Sequence, residues 1–517
     1  MENASSGSFI AQFPKNLAAN IAYFIVSIVV GILIVPYFIS TLGVAAYGLI
    51  PLATSVTGYV AIVVQSINTA VTRFLTVDLQ RGDYKAANRT FNTAFFGLTA
   101  VILLMVPVVV AVAYVVPAIF SVPASQETGT ALLFLGVCGA FLVRAWSGNY
   151  TVQLFAYNRL DLQNVVNLVN LIIQTVLIVF FFAFFGPDLA LVGAAYFAGA
   201  LAASALSIVF AKRVCPHLTL SLHAFDRSKV RELCGMGWWL VIDQIGSLLL
   251  IQIDLIVVNL LFGAASAGEY AIALQWVVLL RAIAGVLAGV LTPMVLTYYA
   301  KGETNSLIRV SRSAVKLMGL LMAIPIGLIC GFAPQILTVW VGPSFTKLAP
   351  LMVLLTLHLA ANLAVQPLFS INVAYNRMRI PGIVTLVTGI VSITLAVALP
   401  LYLGWGYYGV AAAEAVMLTI KCAISTPWYA AHILKVEKPT FMYLTVPGIA
   451  GALIIAAGSA AFSKIFSMVT LIPLVVTGGA IALLYLVFVW FFCLDEFERG
   501  LFCSFLPDQV QRLIVRT

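Results

Sequence analysis

Apolar runs of about 20 residues or more recur along the whole chain, and the sequence reads as fourteen of them. A run of that length crosses a hydrocarbon core of about 30 Å as a helix. Lipid offers no partner to backbone N–H and C=O groups, so each run must close its hydrogen bonds within itself. The expected fold class is therefore all-α, a polytopic membrane protein with about 14 transmembrane helices. Composition agrees: 62% of residues are hydrophobic and 9% charged, at a mean hydropathy of +1.09. Those values lie outside the range of soluble globules.

A second constraint is internal repetition. Ala156-Tyr157-Asn158-Arg159 returns as Ala374-Tyr375-Asn376-Arg377, 218 positions later. Arg81-Gly82-Asp83 answers to Lys301-Gly302-Glu303, and Arg89 to Arg309, both at 220. Leu191-Val192-Gly193-Ala194-Ala195 answers to Gly409-Val410-Ala411-Ala412-Ala413 at 218. Matches in one order at nearly one offset point to a duplication.

Lys and Arg gather in alternate loops, among them Arg73, Arg159, Lys212, Arg213, Arg227, Lys301, Arg377 and Lys435. The opposite loops carry only Lys347 and Lys464. By the positive-inside rule the basic loops and both termini are cytoplasmic. Equivalent points on one side are separated by an even number of spans, and six fit. The expected plan is two parallel six-helix repeats, 1–220 and 221–440, an additional helix pair, 441–494, and a cytoplasmic tail, 495–517.

Several function classes lose support at once. The seven cysteines show no metal-ligand spacing. No Gly-x-x-x-x-Gly-Lys-Ser/Thr loop is present to cradle phosphates, and no loop is long enough for a folded domain. No loop clusters acids or histidines as a catalytic site would. The chain reads as a non-enzyme without cofactors. The net charge of +9 reflects membrane orientation, not nucleic-acid binding.

Ionisable groups at bilayer depth are costly and mark functional candidates. They are Arg144, Asp243, Asp254, Arg281, His358, Glu414 and Lys421. In the span 131–155, Arg144, Ser147, Gly148 and Thr151 share one helical face. That strip suits a cavity wall, and a guanidinium suits a phosphate group. The alternative is a structural arginine bonded to backbone carbonyls or to a neighbouring acid. Asp243 and Asp254 are read on one helix, about three turns or ~16 Å apart. One is a candidate to carry a coupling ion, the other to anchor Arg281 or Lys421. Glu414 and Lys421 are too far apart to pair, so each needs a partner from another helix. Arg281 and Lys421 are further candidates for substrate phosphate, and Glu414 for ion coupling. His358 reads as a buried neutral side chain.

Asn167, Asn170 and Gln174 form one polar stripe, and Gln65 lies in another. Such stripes serve a hydroxyl-rich cargo or hydrogen bonds between helices. In the repeated tetrapeptide, Asn can close the helix end and Arg can anchor at the headgroups.

Thr41-Leu42-Gly43-Val44-Ala45-Ala46-Tyr47-Gly48-Leu49 resembles the Leu-Gly…Tyr-Gly-Leu signature of polysaccharide-export flippases. Asp254, Phe262-Gly263 and Gly268-Glu269-Tyr270 are similar to that family's Asp…Gly…Gly-x-Tyr pattern. Ile336-Leu337-Thr338-Val339-Trp340-Val341-Gly342 resembles a further family segment. The resemblance covers nearly the whole chain. It implies the multidrug/oligosaccharidyl-lipid/polysaccharide exporter superfamily and its O-antigen and exopolysaccharide flippases.

The implied function is to flip polyprenyl-pyrophosphate-linked oligosaccharide across a bacterial inner membrane by alternating access. Partners would be that glycan, the bilayer, and a polysaccharide polymerase or chain-length machinery. Arg144, Arg281 and Lys421 would meet the pyrophosphate. Ser147, Thr151, Asn167, Asn170, Gln174 and Gln65 would line the polar cavity. Two relatives fit less well. Lipid II flippases carry arginines in their first two spans, where this chain has none before Arg73. MATE-type antiporters carry a carboxylate in the N-terminal lobe, where no acid lies inside the first six spans.

Overall fold

A computed structural model describes residues 2–80, 82–120, 122, 124–226, 229, 238–375, 377–466 and 470–504. The described residues are helical, with no strand among them. The first six helices are α1 (Glu2–Leu42), α2 (Val44–Gln80), α3 (Tyr84–Ile119), α4 (Glu127–Ala156), α5 (Leu160–Phe185) and α6 (Leu189–Val214). Next come α7 (Trp238–Ile251), α8 (Asp254–Ala300) and α9 (Thr304–Gly331).

Twelve described stretches are long and apolar enough to cross a membrane. One of them, Val241–Gly289, runs 49 residues and turns at Gly263, so it accounts for two crossings. Gly263 has φ 83 and ψ 174, a conformation that a Cβ excludes. Within α2, Val44–Gly58 is a shorter apolar helix.

The chain divides into two compact units, Met1–Ala271 and Ile272–Thr517. In the first, α4 runs along α6 because Gly136 and Gly193 bring the two backbones into contact. Aromatic rings of Phe91, Phe95, Trp146 and Tyr150 fill the space between α3 and α4. In the second, α9 is the most buried crossing. It packs on Val446–Ile465 through Gly319 against Gly448 and Gly327 against Ile455. The final helix pair thus builds part of this unit's core.

The duplication is visible in the turns. Gly82 N–H bonds Leu79 C=O at 3.1 Å and Asp83 N–H bonds Asp78 C=O at 3.0 Å. At offset 220, Gly302 N–H bonds Tyr299 C=O at 3.0 Å and Glu303 N–H bonds Tyr298 C=O at 3.1 Å. Gly82 and Gly302 share φ 72, the left-handed region that favours glycine. At offset 218, Arg159 N–H bonds Leu154 C=O and Arg377 N–H bonds Asn372 C=O, both at 2.8 Å.

Two expectations change. Asp243 and Asp254 do not share a continuous helix, because the chain breaks at Gln252 and Ile253. The run 348–373 is not one helix either. It divides into Ala349–Leu357, Leu359–Ala364, a short turn at Gln366–Leu368, and Phe369–Ala374. Pro367 has no N–H to donate, which weakens the ladder there. The tail, 495–517, is described as far as Ser504. Its helix Glu496–Ser504 opens with a reciprocal cap between Asp495 and Glu498. Lys316 of α9 holds Glu498 at 2.7 Å, and Arg309 stacks on Phe497.

Candidate functional site

Arg144 projects from α4 toward α5. Its Nη2 donates to Asn167 Oδ1 at 2.7 Å. Its Nη1 is buried and has no hydrogen-bond partner, and no described carboxylate pairs with the residue. A half-buried guanidinium with one buried, unpaired donor nitrogen is ready to receive an anion.

The rest of the polar strip separates by role. Ser147 is sealed at 0% exposure, accepts from Ser204 Oγ at 2.9 Å, and donates to the Arg144 carbonyl. It ties α4 to α6, and that burial takes it out of any cavity wall. Thr151 donates to the Gly148 carbonyl at 2.8 Å and stays partly exposed. Asn170 and Gln174 flank Gly199 of α6, whose missing side chain lets the helices approach. Gln174 hydrogen-bonds Tyr196. The Gln65 side chain lies outside the described residues.

In the second unit the charges are paired across helices. Arg281 Nη2 meets Glu414 Oε1 at 2.6 Å, with Glu414 at 1% exposure and Arg281 at 21%. The sequence reading gave Arg281 to an aspartate or to phosphate; Glu414 takes it instead. Glu414 Oε2 is buried with no partner. His358 lies within electrostatic reach of both residues, and its Nδ1 contacts Asn362 Nδ2 at 2.7 Å. Asn362 is the residue that aligns with Arg144 at offset 218.

Lys421 is 7% exposed, forms no described ion pair, and sits 5.8 Å from the Phe369 ring. It lies in a widened π-helical stretch, Ile420–Ser425, where Thr426 Oγ1 bonds the Lys421 carbonyl at 3.0 Å. Pro427, two residues past the stretch, has no N–H to continue the ladder, which accounts for the widening. Pro427 was the sequence signal for this feature, and the periodic reading passed over it.

Asp243 is half-buried in α7. Asp254 opens α8 at 1% exposure and accepts from the Tyr270 hydroxyl at 2.8 Å. The bond closes across the Gly263 turn. Gly268 lies against Val44 and Gly48, so the segments 41–49 and 254–270 meet. In the first tetrapeptide loop Asn158 takes φ 55 and receives Asn16 Nδ2, as a helix-closing residue should. Arg159 is held by Asp161 through two bonds of 3.0 Å. Asn376, in the second copy, lies outside the described residues.

Residues 14–298 match the family model described as "Polysaccharide biosynthesis protein". The chain belongs to this family. It is also 32% identical over 494 residues to "Uncharacterized membrane protein EpsK" of Bacillus subtilis (strain 168), covering 95% of this chain and 97% of that one. The fold is similar to lipid II flippase MurJ in an inward closed conformation, with a TM-score of 0.65 at 13% identity. That match covers 92% of this chain and 98% of MurJ. It is also similar to the Vibrio cholerae MATE transporter VcmN in its bent form, with a TM-score of 0.55 at 16% identity. There the coverage is 87% and 99%. At such identities the likeness shows the fold alone.

Proposed function

We propose that the chain is a secondary transporter that flips a polyprenyl-pyrophosphate-linked oligosaccharide from the cytoplasmic to the outer leaflet. It works by alternating access in a bacterial inner membrane, with both termini cytoplasmic. One observation carries the reading: in a polysaccharide biosynthesis family member, Arg144 is half-buried, with its Nη1 buried and unpartnered and no described counter-charge. A pyrophosphate brought into a low-dielectric interior must meet a cation.

Lys421 is the second pyrophosphate ligand, since it too lacks a described carboxylate. Arg281 contributes only when Glu414 releases it. Glu414 is the first ion-coupling candidate, because its Oε2 is buried and unpartnered. Asp243 remains a second. Asp254 acts structurally through Tyr270. Asn167 aims Arg144, and Asn170, Gln174 and Thr151 offer polar groups to the sugar. The relatives support a transporter over an enzyme. A polymerase or chain-length machinery would receive the glycan at the outer face.

The test is a deletion strain followed for lipid-linked glycan. The proposal expects accumulation in the cytoplasmic leaflet, and no rescue by Arg144→Ala. Normal surface polysaccharide in a deletion strain without a second flippase would sink it.

A further inference from the structure

A groove of about 420 Å³ opens at the ends of α4, α5 and α6, lined by Tyr157, Arg159, Leu162, Phe210, Arg213 and Val214. We propose that it binds the phosphodiester headgroup of an anionic lipid, outside the transport site. Its lining is amphipathic in the way such a ligand requires. Leu162, Phe210 and Val214 give an apolar floor for the glycerol and upper acyl chain. Arg213 is exposed and forms no described ion pair. Basic pockets between helix ends at the headgroup level recognise lipid phosphates.

The charge count selects the ligand. Arg159 is neutralised by Asp161, which takes its Nε and Nη2 and leaves Nη1 outside the pair. The lining therefore carries one uncompensated positive charge, that of Arg213. A phosphodiester, with one negative charge, matches it. A pyrophosphate carries more charge than the groove can balance, so the transported cargo fits poorly here.

The groove also belongs to one repeat only. The tetrapeptide that supplies Tyr157 and Arg159 is duplicated, but Lys212-Arg213 align at offset 218 with Ala430-Ala431. In the second copy the Tyr375 ring instead packs against Tyr299 at 4.7 Å. The second repeat makes the same turn bond with Ala431 in the place of Arg213, so the turn itself does not need Arg213.

The test uses the purified full chain in detergent, titrated with fluorescent phosphatidylglycerol. Arg213→Ala should weaken binding about five-fold, roughly the worth of one surface cation. Arg213→Lys should keep most of it, and Lys212→Ala, outside the lining, should change little. Competition separates the sources. Unlabelled phosphatidylglycerol should displace the probe, whereas phosphatidylcholine, inorganic phosphate and farnesyl pyrophosphate should not at equal concentration. Equal binding by Arg213→Ala, or equal displacement by any of those three, overturns the proposal. No transport is read, so failure here leaves the flippase reading untouched.

Discussion

Arg281 Nη2 lies 2.6 Å from Glu414 Oε1, joining two helices across 133 positions of sequence. The pair sits where the carboxylate is almost wholly buried. Removing one member should therefore cost more than removing both. Arg281→Ala leaves a buried, unpaired charge and should destabilise by about 3–5 kcal/mol. The double variant Arg281→Met with Glu414→Gln should recover most of that. Thermal unfolding of the purified protein in one detergent compares the two; equal losses would show that the pair is not coupled.

The Asp254–Tyr270 bond spans the Gly263 turn inside the first unit. Tyr270→Phe removes only the hydroxyl and should cost about 1.5–3 kcal/mol, the range for a bond to a charged group. The same unfolding assay reads it, and an unchanged midpoint would argue against a clamp.

Gly48 and Gly268 are packed with no room for a methyl group. A Cβ on Gly48 would stand 2.6 Å from the Gly268 nitrogen. Gly268→Ala would press on the Val44 carbonyl. Overpacking of this kind costs about 1–3 kcal/mol or more. Folded yield by size-exclusion chromatography should fall for both variants, while Gly97→Ala, where space is open, should not change it.

Lys421 is placed by the π-helical stretch and not by an ion pair. Lys421→Met should leave the protein folded and lower glycan export about ten-fold, if it loses the ~1.4 kcal/mol or more of one charge-assisted contact. Lys421→Arg should retain part of the activity. Export in the deletion strain, scored beside folded yield, checks both.

Much of this was legible in the sequence, for identifiable reasons. Apolar runs specify helices in lipid because backbone groups have no other partner. The duplicated turns at Gly82 and Gly302 repeat in geometry because both need a glycine at positive φ. The burial of Asp254, Glu414 and Lys421 followed from their place inside apolar runs. Pairing was not legible, because a helical wheel shows which face a charge occupies but not which distant helix covers it. Hence Arg281 found Glu414, and Ser147 turned inward to Ser204. The break between α7 and α8 was also missed: Ile251, Gln252 and Ile253 carry no glycine or proline to announce it.

The central claim is that a half-buried Arg144 with an unpartnered Nη1 receives a lipid-linked pyrophosphate for flipping. Proteoliposomes holding the purified protein and a fluorescent polyprenyl-pyrophosphate oligosaccharide test it directly, with an impermeant glycosidase outside. Wild-type protein should expose the inner-leaflet pool to cleavage faster than empty liposomes do, and Arg144→Ala should match the empty liposomes while remaining folded. Cleavage by wild type no faster than in empty liposomes, or full activity of Arg144→Ala, would contradict the account.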